Sequence, residues 1–84
     1  MAMNEVVVLR DRDILRAAMK ERSTTQIGVA KKMGISQNTL SQNMTRDRIS
    51  VEKFKKILDA MDYDVYIVDR NNKEAKWCVD VEDW

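Results

Sequence analysis

The chain has no histidine, no proline, one cysteine and two glycines among its 84 residues. Each shortage removes a class of chemistry. Without histidine, neither a histidine-based triad nor a cysteine–histidine nucleophile can be assembled. With Cys78 alone, zinc sites of the Cys/His type and an intrachain disulfide are excluded, and a single thiol fits a reducing compartment. Gly28 and Gly34 are too few to build a phosphate-cradling loop. No apolar run is long enough to span a bilayer. The first residues, MAMNEVVVLR, lack the basic start, the longer apolar core and the small-residue cleavage site of a signal peptide. The expectation is a protein that is not an enzyme, with no catalytic residues, no metal, no cofactor and no membrane partner. Cytoplasm is the default location. Asp80, Glu82 and Asp83 read as a solvated acidic end rather than a cation site, and Cys78 as a sheet residue.

What is present is ordinary globular material, 44% apolar and 35% charged. Residues 1–84 are expected to form one small domain with a modest core, for which oligomerisation is a natural source of extra stability. The net charge of +1 conceals a division along the chain. Residues 25–56 carry seven bases against Asp47 and Glu52, a net +5, whereas residues 57–84 carry three bases and eight acids, a net −5. A basic middle fits a phosphate-binding surface, and the acidic end belongs away from it.

The organising stretch is residues 25–44, TQIGVAKKMGISQNTLSQNM. Thr25 is a good N-cap, and Val29, Ala30 and Met33 recur at helical spacing. Gly34 stands where a left-handed residue is wanted to end a helix. Ile35 supplies an apolar plug and Ser36 a second N-cap. The helix that follows is crowded with Gln37, Asn38, Thr39, Ser41, Gln42 and Asn43 around one main apolar anchor, Leu40. So polar and so nearly uncharged a helix suits the reading of base edges.

These residues resemble the helix-turn-helix of the lambda-repressor/Cro (XRE-type) family of phage and bacterial regulators. Counted from Gln26, the family pattern wants a small residue fifth, glycine ninth, and apolar residues fourth, eighth, tenth and fifteenth. Here these are Ala30, Gly34, Val29, Met33, Ile35 and Leu40. Ala30 must be small because two helices cross there, and Gly34 must reverse the chain quickly. The likeness continues through Arg48, Ile49, Ser50, Val51 and Glu52, which resemble the family's loop and capped fourth helix, and covers roughly residues 12–62. Two departures stand out: Asn43 where the family usually has an apolar residue, and residues 45–47, where a glycine is common.

Around this motif the periodicity predicts further elements. Residues 5–9 form a β-branched run suited to a short buried strand. Asp11 or its neighbour should cap a helix from about Arg12 to Arg22, with Ile14, Leu15, Ala18 and Met19 inward. Ile49 should tuck under the loop before a fourth helix, capped by Ser50 and running from Val51 to about Met61, with Val51, Phe54, Ile57, Leu58 and Met61 as its stripe. After Asp62 the period changes to alternation. Residues 63–69 and 75–81 read as two strands, with Asn71 and Asn72 as the turn, since asparagine tolerates positive φ. A three-residue turn would put Val65, Ile67, Trp77 and Val79 on one face, and a two-residue turn would group Tyr66 and Val68 with Trp77. The fold class expected is mainly α with a small β element. It comprises a repressor-like domain of four to five helices over residues 12–62, a short N-terminal strand and a C-terminal β-hairpin over residues 63–84.

The resemblance also implies the site. Gln37, Asn38, Ser41 and Gln42 are expected at base edges, glutamine and asparagine being able to pair with adenine in a bidentate way. Gln26, Lys31, Thr39, Arg46 and Arg48 are expected on phosphates, with Gln26 bracing Gln37. An isolated hairpin is marginal in water, so residues 63–84 read as a dimer surface with Tyr63, Tyr66, Ile67, Trp77, Val79 and Trp84 as anchors. The function implied is a dimeric, sequence-specific repressor of phage or mobile-element type that binds paired half-sites on double-stranded DNA. Two alternatives share the scaffold: the antitoxin of a toxin–antitoxin pair, and a phage-encoded inhibitor or adaptor that binds another protein.

Overall fold

The structure is a computed structural model that describes residues 8–45 and 48–80. Along the chain run α1 (Asp11–Glu21), α2 (Gln26–Met33), α3 (Gln37–Thr45), α4 (Val51–Ala60), β1 (Tyr66–Val68) and β2 (Ala75–Cys78). This is the mainly helical architecture with a C-terminal hairpin that the periodicity predicts, with four helices among the described residues. The strand expected over residues 5–9 falls mostly outside them. Its described part, Val8 and Leu9, belongs to no strand, and Val8 is 93% exposed.

Each helix turns one apolar stripe toward a shared centre, where Leu15, Leu40, Ile57 and Val29 are the largest fully buried side chains. Ala18 and Met19 from α1, Ala30 from α2, Met44 from α3 and Leu58 from α4 complete the cluster, with Met61 just beyond α4. Ile14, Met33, Ile35, Ile49 and Phe54 pack around it. Val51, expected in the α4 stripe, is instead 67% exposed. It opens the helix one turn before the neighbouring helices cover that face. The N-cap of α1 is Arg10, the neighbour of Asp11, but no side chain caps the helix, and Asp11 lies inside the first turn beside Asp13, where carboxylates complement the helix dipole.

The C-termini of α1, α2 and α4 share one device. Gly34, Ser23 and Asp62 adopt the left-handed conformation at φ 71°, 53° and 64°. Beyond each, a backbone N–H reaches five residues back: Ile35 N donates to Ala30 O at 3.1 Å, Thr24 N to Met19 O at 2.9 Å and Tyr63 N to Leu58 O at 3.0 Å. These are Schellman closures, and glycine serves only one of them. At Asp62 the closure is reinforced from a distance. Arg22 Nε donates to Met61 O at 3.0 Å, its Nη2 to Asp62 O at 3.2 Å, and its guanidinium lies 4.0 Å from the Tyr63 ring centroid. The C-termini of α1 and α4 are thereby tied together. A Cβ on Gly34 would meet nothing within 4 Å, so a substitution there is opposed by backbone conformation alone. Gly34→Ala should therefore cost about 1–2 kcal/mol and Gly34→Asn less, as read by thermal unfolding.

The two strands pair antiparallel, Tyr66 with Cys78, Ile67 with Trp77 and Val68 with Ala75, with a bulge between the last two pairs. Val79 N donates to Val65 O at 2.7 Å, so Val65, Ile67, Trp77 and Val79 share a face, which is the grouping a three-residue turn implied. The turn itself is longer. Asp69 N donates to Glu74 O and Lys73 N to Asp69 O, both at 2.8 Å. The positive φ falls on Lys73, at 61°, not on an asparagine. The turn's acidic and amide side chains act as acceptors: Asn71 N donates to Asp69 Oδ1 at 2.8 Å and Glu74 N to Asn72 Oδ1 at 3.1 Å. The strands pack on each other more than on any helix.

One basic residue leaves the surface. Lys55 in α4 is buried, and its ammonium is held by Asp59 one turn on. The hydrogen bond to Asp59 holds its pKa above the usual lysine value, with burial opposing and Asp59, Asp64 and Cys78 adding smaller electrostatic support. Lys55 therefore cannot serve the basic surface that the charge distribution suggested.

Candidate nucleic-acid interface

Three local choices present α3. The Thr25 hydroxyl accepts from Gly28 N at 3.2 Å and fixes the start of α2. Gly34 reverses the chain. Ser36 then caps α3, its Oγ accepting from Thr39 N at 3.1 Å. Leu40, Asn43 and Met44 are the buried positions of α3. At about 100° per residue, Asn38, Gln42 and Thr45 lie diametrically opposite them, flanked by Gln37 and Ser41 on one side and Thr39 on the other. Gln37, Asn38 and Gln42 are exposed and Ser41 is half-buried, so the four residues expected at base edges share one accessible surface.

The residues expected on phosphates are more dispersed. Gln26 is half-buried at the start of α2, and no hydrogen bond among the described residues joins it to Gln37. Lys31, in the last turn of α2, and Arg48, before α4, are exposed. The Thr39 hydroxyl is engaged with Ser36 Oγ at 2.8 Å. Arg46 lies outside the described residues. Neither α2 nor α3 carries a carboxylate, and of the two lysines that close α2, Lys32 borders Asp59 and Asp62 at the end of α4.

Sequence reasoning passed over two features here. Thr45 stands on the outer face but donates back to Ser41 O at 3.0 Å and to Gln42 O at 3.3 Å, which withdraws its hydroxyl. Lys53 and Lys56 of α4 line a cleft beside Thr39 and Gln42. Their signal was the three-residue spacing on one helix face, which says nothing about what that face borders.

On the hairpin, Tyr66, Ile67 and Trp77 are exposed and Val79 is half-buried. Tyr63, expected at a dimer surface, is engaged within the chain: it packs against the core, lies under Arg22, and donates its hydroxyl to Glu21, which pushes the phenol pKa up. Trp84 lies outside the described residues. Among the described residues no cluster of three or more metal-binding side chains occurs, and no helix is long and apolar enough to cross a membrane.

A search of the curated proteins and one of the solved structures each found no match. A family model described as Helix-turn-helix matches residues 15–67, from the middle of α1 into β1, and so spans both helices of the motif and the α4 that braces them. By that match the chain belongs to the lambda-repressor/Cro (XRE-type) helix-turn-helix family of DNA-binding regulators, which is not an enzyme family.

Proposed function

We propose that the chain is a sequence-specific transcriptional repressor of phage or mobile-element type, which binds paired half-sites on double-stranded DNA as a homodimer. The observation that carries this is α3: Gln37, Asn38 and Gln42 are exposed on a helix without a single charge, where amide groups face outward and can pair with base edges. Occupancy of an operator by such a protein excludes RNA polymerase. The direct test is a titration against duplex DNA from the region upstream of the protein's own reading frame, run beside an unrelated duplex at two salt concentrations. Preference for the upstream duplex that persists at the higher salt supports the reading. Equal, salt-sensitive binding to both would sink it.

The dimer is supported by the hairpin. Ile67 and Trp77 are cross-strand partners, 48% and 68% exposed, on a two-stranded sheet whose outer edges are unpaired among the described residues. An aromatic and a β-branched residue side by side on an open sheet make a good anchor for a second copy related by two-fold symmetry. Two linked half-sites then gain affinity through effective concentration. Trp77→Lys should raise the dimer dissociation constant at least about ten-fold, as measured by sedimentation equilibrium, and remove the concentration dependence of the melting temperature. A wild-type chain that sediments as a monomer would assign this face to a different protein, as in an antitoxin or an adaptor.

A further inference from the structure

We propose that Lys53, held by the buried amide of Asn43, is a phosphate-binding residue on the flank of the recognition helix, and that Asn43 acts as its positioning residue. The inference deepens the DNA-binding reading and rests on it.

Asn43 is 9% exposed and lies on the α3 face that otherwise buries Leu40 and Met44. A side-chain amide in such a position is unfavourable unless it finds hydrogen-bond partners. Its Oδ1 accepts from Lys53 Nζ, ten residues on and in another helix, at 3.4 Å. No buried side-chain nitrogen or oxygen among the described residues lacks a partner. The pairing decides where the ammonium sits. An exposed lysine ordinarily samples many rotamers in solvent, and this one is drawn back across the seam between α3 and α4.

The seam is a cleft of about 300 Å³. Lys53 and Lys56 form its α4 side, Thr39, Gln42 and Asn43 its α3 side, and Ile57 contributes apolar surface. Lys53 and Lys56 are three residues apart and so share a helix face. No carboxylate lines the cleft. The Lys53 ammonium among neutral hydrogen-bonding groups, with no acid in the lining, makes a site for an anion, and a phosphodiester oxygen fits its charge.

Continuity with the reading face selects that ligand. Gln42 belongs both to the outward face of α3 and to the cleft. A helix about 10–12 Å across nearly fills a major groove about 12 Å wide, so its two flanks lie against the two sugar–phosphate backbones. With Asn38 and Gln42 toward the bases, the Thr39 flank and the cleft beside it meet one backbone. Lys53 is then poised before binding, and the contact requires little reordering.

The test uses the full chain, titrated between about 50 and 200 mM salt against an arbitrary duplex and against the upstream duplex. Lys53→Ala and Lys53→Gln should weaken both duplexes by the same factor and lower the salt slope by about 1, and Lys53→Arg should retain most of it. Asn43→Leu should melt at or above the wild-type temperature and yet lose part of the same slope. Combined with Lys53→Ala it should lose nothing further. A wild-type slope in Lys53→Ala, or wild-type slope and affinity in Asn43→Leu, overturns the proposal. Retained preference for the upstream duplex with an unchanged Lys53→Ala slope leaves the repressor reading standing alone. Lost preference with a reduced slope leaves only the phosphate contact, and no binding to either duplex overturns both.

Discussion

The double variant Gln37→Ala/Asn38→Ala should bind its operator about 30-fold to 10⁴-fold more weakly than the wild type, on the basis that one bidentate amide–base pair discriminates by about 1–3 kcal/mol. Affinity for unrelated duplex DNA should hardly change, because nonspecific binding is carried by phosphate contacts and neither residue is charged. The salt slope should stay at its wild-type value for the same reason. Both side chains are exposed and neither hydrogen-bonds another of the described residues, so the melting temperature should stay within the range of ordinary surface changes. Three readouts therefore separate base recognition from phosphate attachment and from folding. Unimpaired discrimination between operator and unrelated DNA in this variant would remove α3 from base recognition, whatever the wild-type affinity.

The largest stability effect should come from Leu40→Ala. Leu40 has no exposed surface and is the main apolar anchor of an otherwise polar helix. Truncating such a residue costs about 2–5 kcal/mol, from lost transfer energy and the cavity left behind. A folded domain holds only about 5–15 kcal/mol in total, and small ones lie toward the low end. At roughly 4–8 °C per kcal/mol, the melting temperature should fall by about 8–40 °C. DNA binding should survive below the new transition and vanish through it, because the reading face itself is unaltered. Val51→Ala is the natural control, at most about 0.5 kcal/mol, since Val51 is largely exposed. Comparable losses at both positions would mean that α4 packs differently at its first turn.

The control is instructive because period alone placed Val51 with Phe54, Ile57, Leu58 and Met61. A helical stripe names the inward side of a helix, but how far along that side a neighbour reaches depends on where the neighbours end. The turn signal at Asn71 and Asn72 was likewise sound as to place and incomplete as to mechanism. The side chains of Asp69 and Asn72 accept backbone N–H groups, and the strained φ falls on Lys73. The outward face of α3, which the proposed function assigns to DNA, was legible to a similar degree. Gln37, Asn38, Ser41 and Gln42 share an accessible surface because 100° per residue forces them to, once Leu40 faces inward. Lys53, ten residues away from Asn43, gave no such sign.

Local rules act over a few residues, and much of what they govern was readable from the chain alone: the caps at Thr25, Ser36 and Ser50, the reversal at Gly34, most of the inward stripes and the outward polar face of α3. Side-chain choices made across larger separations were not. Arg22 reaches the end of α4 about forty residues on, Tyr63 returns to Glu21, and Asn43 meets Lys53. Lys55 folds down to Asp59, only four residues on, while Lys53 and Lys56 line the cleft, and their spacing does not tell the three lysines apart. Long polar side chains have many rotamers and more than one available partner, and sequence spacing cannot rank them. Packing of the helices brings one partner within hydrogen-bonding distance and removes the others, and so it alone determines which lysines of a basic stretch remain available to a phosphate.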